Sequence, residues 1–167
     1  LAPALPGLVA VVPVASAVAE TVRAATAGWP VRPIITTGLA DKHDAFAAAA
    51  AAVTKSGTST LELALAGVPM VVTYRVNPLT AMIARRLVKI RFAAMVNLLA
   101  GRELVPELIQ QDSTPEKLAA AVRPLLTDPA AAAAQRAAVA PVLASLAAPA
   151  GTPSQAAAAA VLALLDA

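Results

Sequence analysis

The stretch from Lys55 to Pro69, Lys-Ser-Gly-Thr-Ser-Thr-Leu-Glu-Leu-Ala-Leu-Ala-Gly-Val-Pro, limits what this chain can fold into more than any other. It follows an apolar run, Ala47 to Val53, whose last residues suit a short buried strand. A glycine and three hydroxyl residues then give way to helical spacing. Leu61, Leu65 and Val68 recur every three or four residues, which predicts one buried helix face. Gly67 can end that helix, because glycine tolerates a left-handed backbone, and Pro69 prevents its continuation. Met70 to Tyr74 then reads as a second strand. The predicted unit is strand, glycine turn, helix, strand.

A helix that starts just after a glycine turn presents free backbone N–H groups and the positive end of its dipole. Phosphate is the usual guest of such a site. Thr58, Ser59 and Thr60 add hydroxyl donors to it. Glu62, one turn into the helix, could accept hydrogen bonds from a ribose. A plainer reading stands beside this one. Ser59-Thr-Leu-Glu62 fits a capping box, in which serine and glutamate satisfy only the helix's own amides.

The rest of the chain supplies the setting. Its 167 residues suit one domain with a sizeable core. Gly7 to Val14 reads as a strand covered on both faces of a parallel sheet, with Pro13 ending its hydrogen bonding. Ser16 is placed to cap a helix that runs to about Ala27 and is closed by Gly28. Pro33 to Thr37 reads as another strand, and Gly38 as the start of a loop. Asp41-Lys42-His43-Asp44 is expected to precede a helix through Ala45 and Phe46. Strands alternating with helices predict a doubly wound α/β layer.

Beyond Asn77-Pro78, a helix is expected from about Leu79 to Val88. Arg85, Arg86, Lys89 and Arg91 form a basic cluster interleaved with Met82, Ile83, Leu87 and Ile90. It reads either as a solvated face or as a surface attracted to anionic lipid or to a phosphorylated acceptor. Arg91 to Val96 is predicted to be a strand that delivers Asn97 at its carboxyl end. Asn97-Leu-Leu-Ala-Gly-Arg102 would then be a loop, whose amide can bond sugar hydroxyls or a uracil edge and whose arginine can bracket phosphate. Glu103 and Glu107 follow at helical spacing on a segment reaching Gln111.

Thr114-Pro115 is a clean helix start, predicting a helix to Thr127 with Leu118, Val122 and Leu125 buried. Asp128-Pro129 opens an alanine-rich helix, expected to be interrupted near Pro141. Thr152-Pro-Ser-Gln155 carries a second capping-box signature and launches a last helix through Ala156 to Leu165. The expected division is 1–150 for the α/β domain and 151–167 for a terminal helix.

Several classes are disfavoured by composition. Hydrophobic residues make up 59% of the chain, but no stretch of about 18 strongly apolar residues predicts a spanning helix. There are no cysteines and one histidine, so disulfides and a Cys/His zinc site lack ligands. His43 reads as a surface residue beside a helix start, or as a contact at the edge of a ligand cleft. Aromatic residues are 2% and the net charge is +3, which argues against a base-stacking nucleic-acid surface. Leu1 to Pro6 does not resemble a natural protein start, and no secretory leader is evident.

Taken together, Ser-Gly-Thr-x-Thr-Leu-Glu-x-x-x-x-Gly-Val-Pro-Met-Val-Val-x-Tyr-Arg, Pro78-Leu79-Thr80, Ala84-Arg85-Arg86-Leu87-Val88-Lys89, Asn97-Leu98-Leu99-Ala100-Gly101-Arg102 and Val105-Pro106-Glu107-Leu108 resemble the lipid-A-disaccharide synthase family. The resemblance runs from about Gly7 to the C-terminus and is densest between Ser56 and Gln111. It implies the C-terminal, nucleotide-sugar-binding half of a GT-B glycosyltransferase with an inverting, metal-independent mechanism and no cofactor. The implied reaction transfers 2,3-diacylglucosamine from UDP-2,3-diacylglucosamine to 2,3-diacylglucosamine 1-phosphate. Glu62 would then bind the nucleotide ribose, and Gly57, Thr58 and Ser59 the UDP diphosphate, with Ser56, Asn97, Arg102 and Glu107 also binding the UDP-sugar. The catalytic base would lie in an N-terminal acceptor domain, and the terminal helix would cross back to that domain. The resemblance further implies an enzyme peripheral to the cytoplasmic side of a Gram-negative inner membrane. There Arg85, Arg86, Lys89 and Arg91 would touch lipid, and a homodimer is allowed. Two other classes compete: a self-contained nucleotide-binding module, which lacks the Gly-x-Gly-x-x-Gly expected for NAD, and a helical membrane-peripheral protein with little strand content.

Overall fold

The computed structural model describes residues 1–77, 91–147 and 151–164. The predicted helix at Leu79 to Val88, together with Arg85, Arg86 and Lys89, lies outside the described residues. The chain is an α/β protein of the Rossmann-like type, with parallel strands flanked by helices. In order it forms β1 (Val11–Pro13), α1 (Ala19–Thr26), β2 (Ile34–Thr36), α2 (Leu39–Ala48), β3 (Ala52–Lys55), α3 (Ser59–Leu65) and β4 (Met70–Tyr74). Then follow α4 (Met95–Ala100), β5 (Glu107–Ile109), α5 (Pro115–Thr127), α6 (Pro129–Ser145) and α7 (Pro153–Ala163). One parallel ladder joins β1 to β2, and a second has the order β3-β4-β5.

The second ladder holds the core. Met-Val-Val at the start of β4 is a continuous apolar run because helices cover both faces of the strand. Met70 and Val72 point into a cluster with Leu63, Val68, Val96, Val105 and Val139, supplied largely by α3, α4 and α6. Val71 points the other way, onto Val122 and Leu125 of α5. Valines buried this fully stabilise the fold by roughly 1.5–3 kcal/mol each.

β3 pairs with β4 from Met70 onwards, but β5 pairs only from Val72, so the open side of Met70 and the residues past Tyr74 are held by side chains. Gln135, on α6, accepts from the Met70 N–H (2.6 Å) and donates to the Met70 carbonyl (3.1 Å). Gln110 does the same at the far end, accepting from Val76 N–H (2.7 Å) and donating to Val76 O (3.3 Å). Each amide copies the donor and acceptor of a neighbouring peptide.

The helix ends follow their sequence signals where capping is local. Gly67 sits at φ +70, with Val68 N–H bonding Leu63 O (2.9 Å) and Gly67 N–H bonding Ala64 O (3.0 Å). This is the paired closure of a Schellman motif. Thr114 and Asp128 cap α5 and α6 through their side chains, and the Thr152/Gln155 capping box is formed, with α7 starting at Pro153.

Several expectations need correction. The first ladder is not covered on both faces: Ile34 is 54% exposed and Val9 and Val11 also face solvent. Nor does Pro13 end its pairing, since the N–H of Val14 still reaches Thr36 O (2.8 Å). Ser16 opens a 3-10 turn (Ser16–Val18) without a side-chain cap, and Gly28 is not left-handed. The second helix begins at Leu39, so Asp41 to Asp44 are helical and His43 stands on its exposed side. On α3 the buried residues are Thr60, Leu63 and Ala64, while Leu65 is 72% exposed. The apolar spacing holds for Val68, which is buried, and for Leu61, half-buried against the core, and fails at Leu65, because α4 and α6 approach from the side of Leu63. Arg91 to Val96 is not a strand, Asn97 to Arg102 is not a loop, and Glu103 to Gln111 is not a helix: α4 and β5 take their places. Pro141 lies inside a continuous α6, whose neighbouring Val139 and Val142 are packed in the core.

The Gln135 clamp predicts its own cost. Gln135→Ala leaves two buried backbone groups of Met70 unpaired, each costing about 1–3 kcal/mol, so urea unfolding should report a loss of about 2–6 kcal/mol. Arg136→Ala, one residue along on the exposed side, should stay within about 0.5 kcal/mol.

Candidate functional site

Parallel α/β sheets bind ligands outside the carboxyl ends of their strands. Here that edge gathers Lys55 to Ser59 after β3, Tyr74 to Asn77 after β4 and Gln110 after β5. Gly57 makes the sharpest turn there. Its φ of +151 suits glycine alone, and a Cβ built on it would meet no atom within 4 Å, so the space above it is open. The buried Thr60 hydroxyl donates to Gly57 O (2.7 Å) and holds the turn from below. Among the described residues, the N–H groups of Gly57, Thr58 and Ser59 donate to no backbone carbonyl. With α3 only seven residues long, these turn amides matter more than a long-helix dipole.

The capping box predicted at Ser59 and Glu62 is not formed, since Thr58 stands at the N-cap without a side-chain cap bond. Glu62 instead reaches across to α2 and forms an ion pair with Lys42, whose ammonium also lies 5.6 Å from the Phe46 ring centre. The Glu62 side chain is 37% exposed, although its Oε2 is buried against Lys42.

Ser56, Asn97 and Glu107 are brought together, in one hydrogen-bonded network. The Ser56 hydroxyl donates to Ala93 O (2.6 Å), tying the glycine turn to the segment before α4. Glu107 receives the N–H groups of Ala93 (2.7 Å) and Ala94 (2.9 Å), so its carboxylate caps the N-terminal end of α4 from the neighbouring strand. Asn97 is fully buried, and its amide donates to Val105 O (2.8 Å) and Glu107 Oε1 (2.7 Å). Its oxygen accepts from Leu104 N–H (2.7 Å) and Val105 N–H (3.0 Å). All four bonding positions of the amide are used inside the chain, so Asn97 places backbone rather than facing the open edge.

Arg102 stands apart, exposed in the turn after Gly101 at the other end of α4. Arg91 is exposed, with its guanidinium 5.3 Å from the Phe92 ring centre. Three residues at the edge were not singled out from the sequence. The Lys55 ammonium lies 5.4 Å from the Tyr74 ring centre. Arg75 is exposed and, among the described residues, pairs with no carboxylate. Gln110 has φ +54, a conformation no sequence signal announced. Arg75 could have been found, since it closes the Val-Val-x-Tyr-Arg motif. Among the described residues no group of three His, Asp or Glu side chains could hold a metal ion, and no helix is long and apolar enough to cross a membrane.

Parallel strands with helices on both faces, and an open glycine turn at their carboxyl edge, define a Rossmann-like α/β domain. The chain belongs to the lipid-A-disaccharide synthetase family, whose model matches residues 5–161. It is 58% identical over 161 residues to the lipid-A-disaccharide synthase of Gluconobacter oxydans (strain 621H), which covers 96% of this chain and 39% of that protein. With the synthase of Granulibacter bethesdensis it shares 55% identity, covering 96% of this chain and 44% of the relative. The synthase of Rhodospirillum centenum is 51% identical over 78% of the chain and 33% of the relative. The chain thus spans about two fifths of the length of the first two relatives.

The Asn97–Glu107 contact yields a pH-dependent prediction. Asn97→Asp would set a second carboxylate at the Glu107 oxygen, and two such groups cannot both ionise cheaply, so one is raised in pKa in the folded state. A raised folded-state value means the variant is least impaired at acid pH and loses stability as pH rises through it. Urea unfolding should show a deficit of about 3 kcal/mol at pH 7, shrinking towards pH 4. A deficit independent of pH would contradict the arrangement.

Proposed function

We propose that this chain is the nucleotide-sugar-binding half of a lipid-A-disaccharide synthase. In that reading the whole enzyme transfers 2,3-diacylglucosamine from UDP-2,3-diacylglucosamine to 2,3-diacylglucosamine 1-phosphate, with inversion and without a metal. The observation that carries it is the open turn at Gly57 on the sheet's carboxyl edge, in a chain whose family is named for that product. The N–H groups of Gly57, Thr58 and Ser59 receive the donor diphosphate. As the sugar leaves, negative charge grows on the departing UDP, and fixed N–H donors lower the barrier by meeting that charge without reorganising. Glu62 binds the ribose through its carboxylate. Ser56, Asn97 and Glu107 keep the turn and α4 in register below the nucleotide, and Arg102 is left as an outlying contact.

The base that deprotonates the acceptor hydroxyl belongs to the part of the enzyme outside this chain. The division into 1–150 and a crossover helix over 151–167 has one support: α7 buries none of its residues here, and Val161, Leu162 and Leu164 lie exposed. The basic run of Arg85, Arg86, Lys89 and Arg91 is assigned to an anionic membrane surface on sequence grounds, which fits acylated substrates.

Titration calorimetry tests this reading. The 167-residue chain should bind UDP and, given donor and acceptor, form no disaccharide. Glu62→Gln should weaken UDP roughly ten- to hundredfold, since a hydrogen bond to a charged group contributes about 1.5–3 kcal/mol. Its half-exposed pair with Lys42 contributes little, so unfolding should change by no more than about 1 kcal/mol. Equal UDP affinity in Glu62→Gln would remove the ribose assignment, and disaccharide formation by the chain alone would remove the division of labour.

A further inference from the structure

Gln110 is the one described residue other than glycine with a positive φ, +54. Residues other than glycine hold such a backbone only where the surroundings over-determine it, and they gather at functional sites. Here the surroundings are visible. Gln110 follows β5 directly, and β5 is held to β4 by the register Val72↔Glu107, Thr73↔Leu108 and Tyr74↔Ile109. Thr73 adds side-chain bonds to Leu108 O (3.1 Å) and to the Ser113 hydroxyl (2.7 Å) on either side of the kink. The left-handed turn directs the Gln110 amide back along β4, where it grips both backbone groups of Val76. Val76 lies beyond the end of β4, where no neighbouring strand would otherwise hold it.

The residue so fixed is its neighbour, Arg75. The β3–β4 register places Lys55 beside Thr73, and the Ser56 N–H still bonds Thr73 O (3.2 Å), so the pairing continues past the strand. Carried two steps further, that register sets Arg75 opposite Gly57, the turn assigned above to the donor diphosphate. Arg75 is exposed, and among the described residues no carboxylate neutralises it. Lys55, the other cation at this edge, is already stacked on Tyr74. A planar guanidinium suits phosphate oxygens in two parallel bonds.

We propose that Arg75 binds the diphosphate of the nucleotide donor and that Gln110, through its clamp on Val76, is the positioning residue that holds Arg75 level with the Gly57 turn. This rests on the UDP reading above. The strained backbone at Gln110 persists because relaxing it would swing the β4 exit away from the turn.

Titrations of the 167-residue chain with UDP, UMP and uridine separate the two ideas. Failure of the unsubstituted chain to bind UDP overturns the functional reading itself. If it binds, Arg75→Gln should weaken UDP roughly ten- to hundredfold, UMP less, and uridine not at all. Lys55→Gln at the same ionic strength should weaken UDP less than threefold; a loss equal to that of Arg75→Gln would mean a diffuse charge effect and overturn the proposal. Gln110→Gly accepts the positive φ freely while deleting the amide; the Val76 groups it releases are only half-buried, so the chain should unfold within a few degrees of the unsubstituted one yet lose UDP affinity about tenfold. The double variant Arg75→Gln with Gln110→Gly should be no weaker than Arg75→Gln alone, because the second change acts through the first. UDP affinity unchanged in Gln110→Gly, or losses that simply multiply in the double variant, would show Gln110 to be structural only.

Discussion

Burial of β4 on both faces is the constraint from which the rest of this structure follows. A strand covered by α3, α4 and α6 on one side and α5 on the other has no water to satisfy its backbone. Along its middle, β3 and β5 supply the partners. β5 does not reach Met70 and neither strand reaches Val76, so two glutamines complete the ladder, Gln135 from a helix and Gln110 from the turn after β5. The inner of these clamps serves stability. The outer one lies at the carboxyl edge of the sheet, and among the described residues other than glycine only Gln110, which makes it, has a positive φ.

A second dependence runs through Glu107. It is a strand residue pairing with Val72, yet its carboxylate caps the start of α4 and holds the Asn97 amide. Asn97 in turn fixes Leu104 and Val105, the segment that leads back into β5. The loop closes on itself, and Ser56 joins it to the glycine turn through Ala93. Replacing either polar member would leave buried donors or acceptors unpaired, at about 1–3 kcal/mol each. Residues that read as ligands from their chemistry are thus the scaffold on which the Gly57 turn rests. Loss of function on their substitution would be expected whether or not they touch substrate.

The division between support and contact organises the edge. Below it lie Thr60, Asn97 and Glu107, hydrogen-bonded within the chain; above it stand the Gly57 to Ser59 amides and Arg75, which have no partner among the described residues. Glu62 belongs to both layers, one oxygen buried against Lys42 and the side chain still partly open. Fixed donors over a rigid base are what a departing diphosphate requires.

Short-range signals decided much of this from sequence. Gly67 and Pro69 end α3, and Thr114-Pro115, Asp128-Pro129 and Thr152-Gln155 start helices, because each depends on bonds within a few residues; Met70 to Tyr74 was legible as a strand from its apolar run, although its bonds go to β3 and β5. The quoted motifs were sufficient to place the chain in its family. What lay beyond reach depended on distant partners. Ala94-Met95-Val96 suits strand or helix alike, and Glu107, thirteen residues from Ala94, made it a helix start. Glu62 carried a capping-box signature, but the proximity of Lys42 on α2 drew it elsewhere. The phase of α3 was set by which helices packed on it, and Gln110 bends the wrong way for its residue type only because Val76 and Thr73 surround it. Sequence determined the elements whose energy is local, and tertiary structure decided every residue with two satisfactory local states, because there the choice belongs to the partner that long-range packing brings within hydrogen-bonding distance.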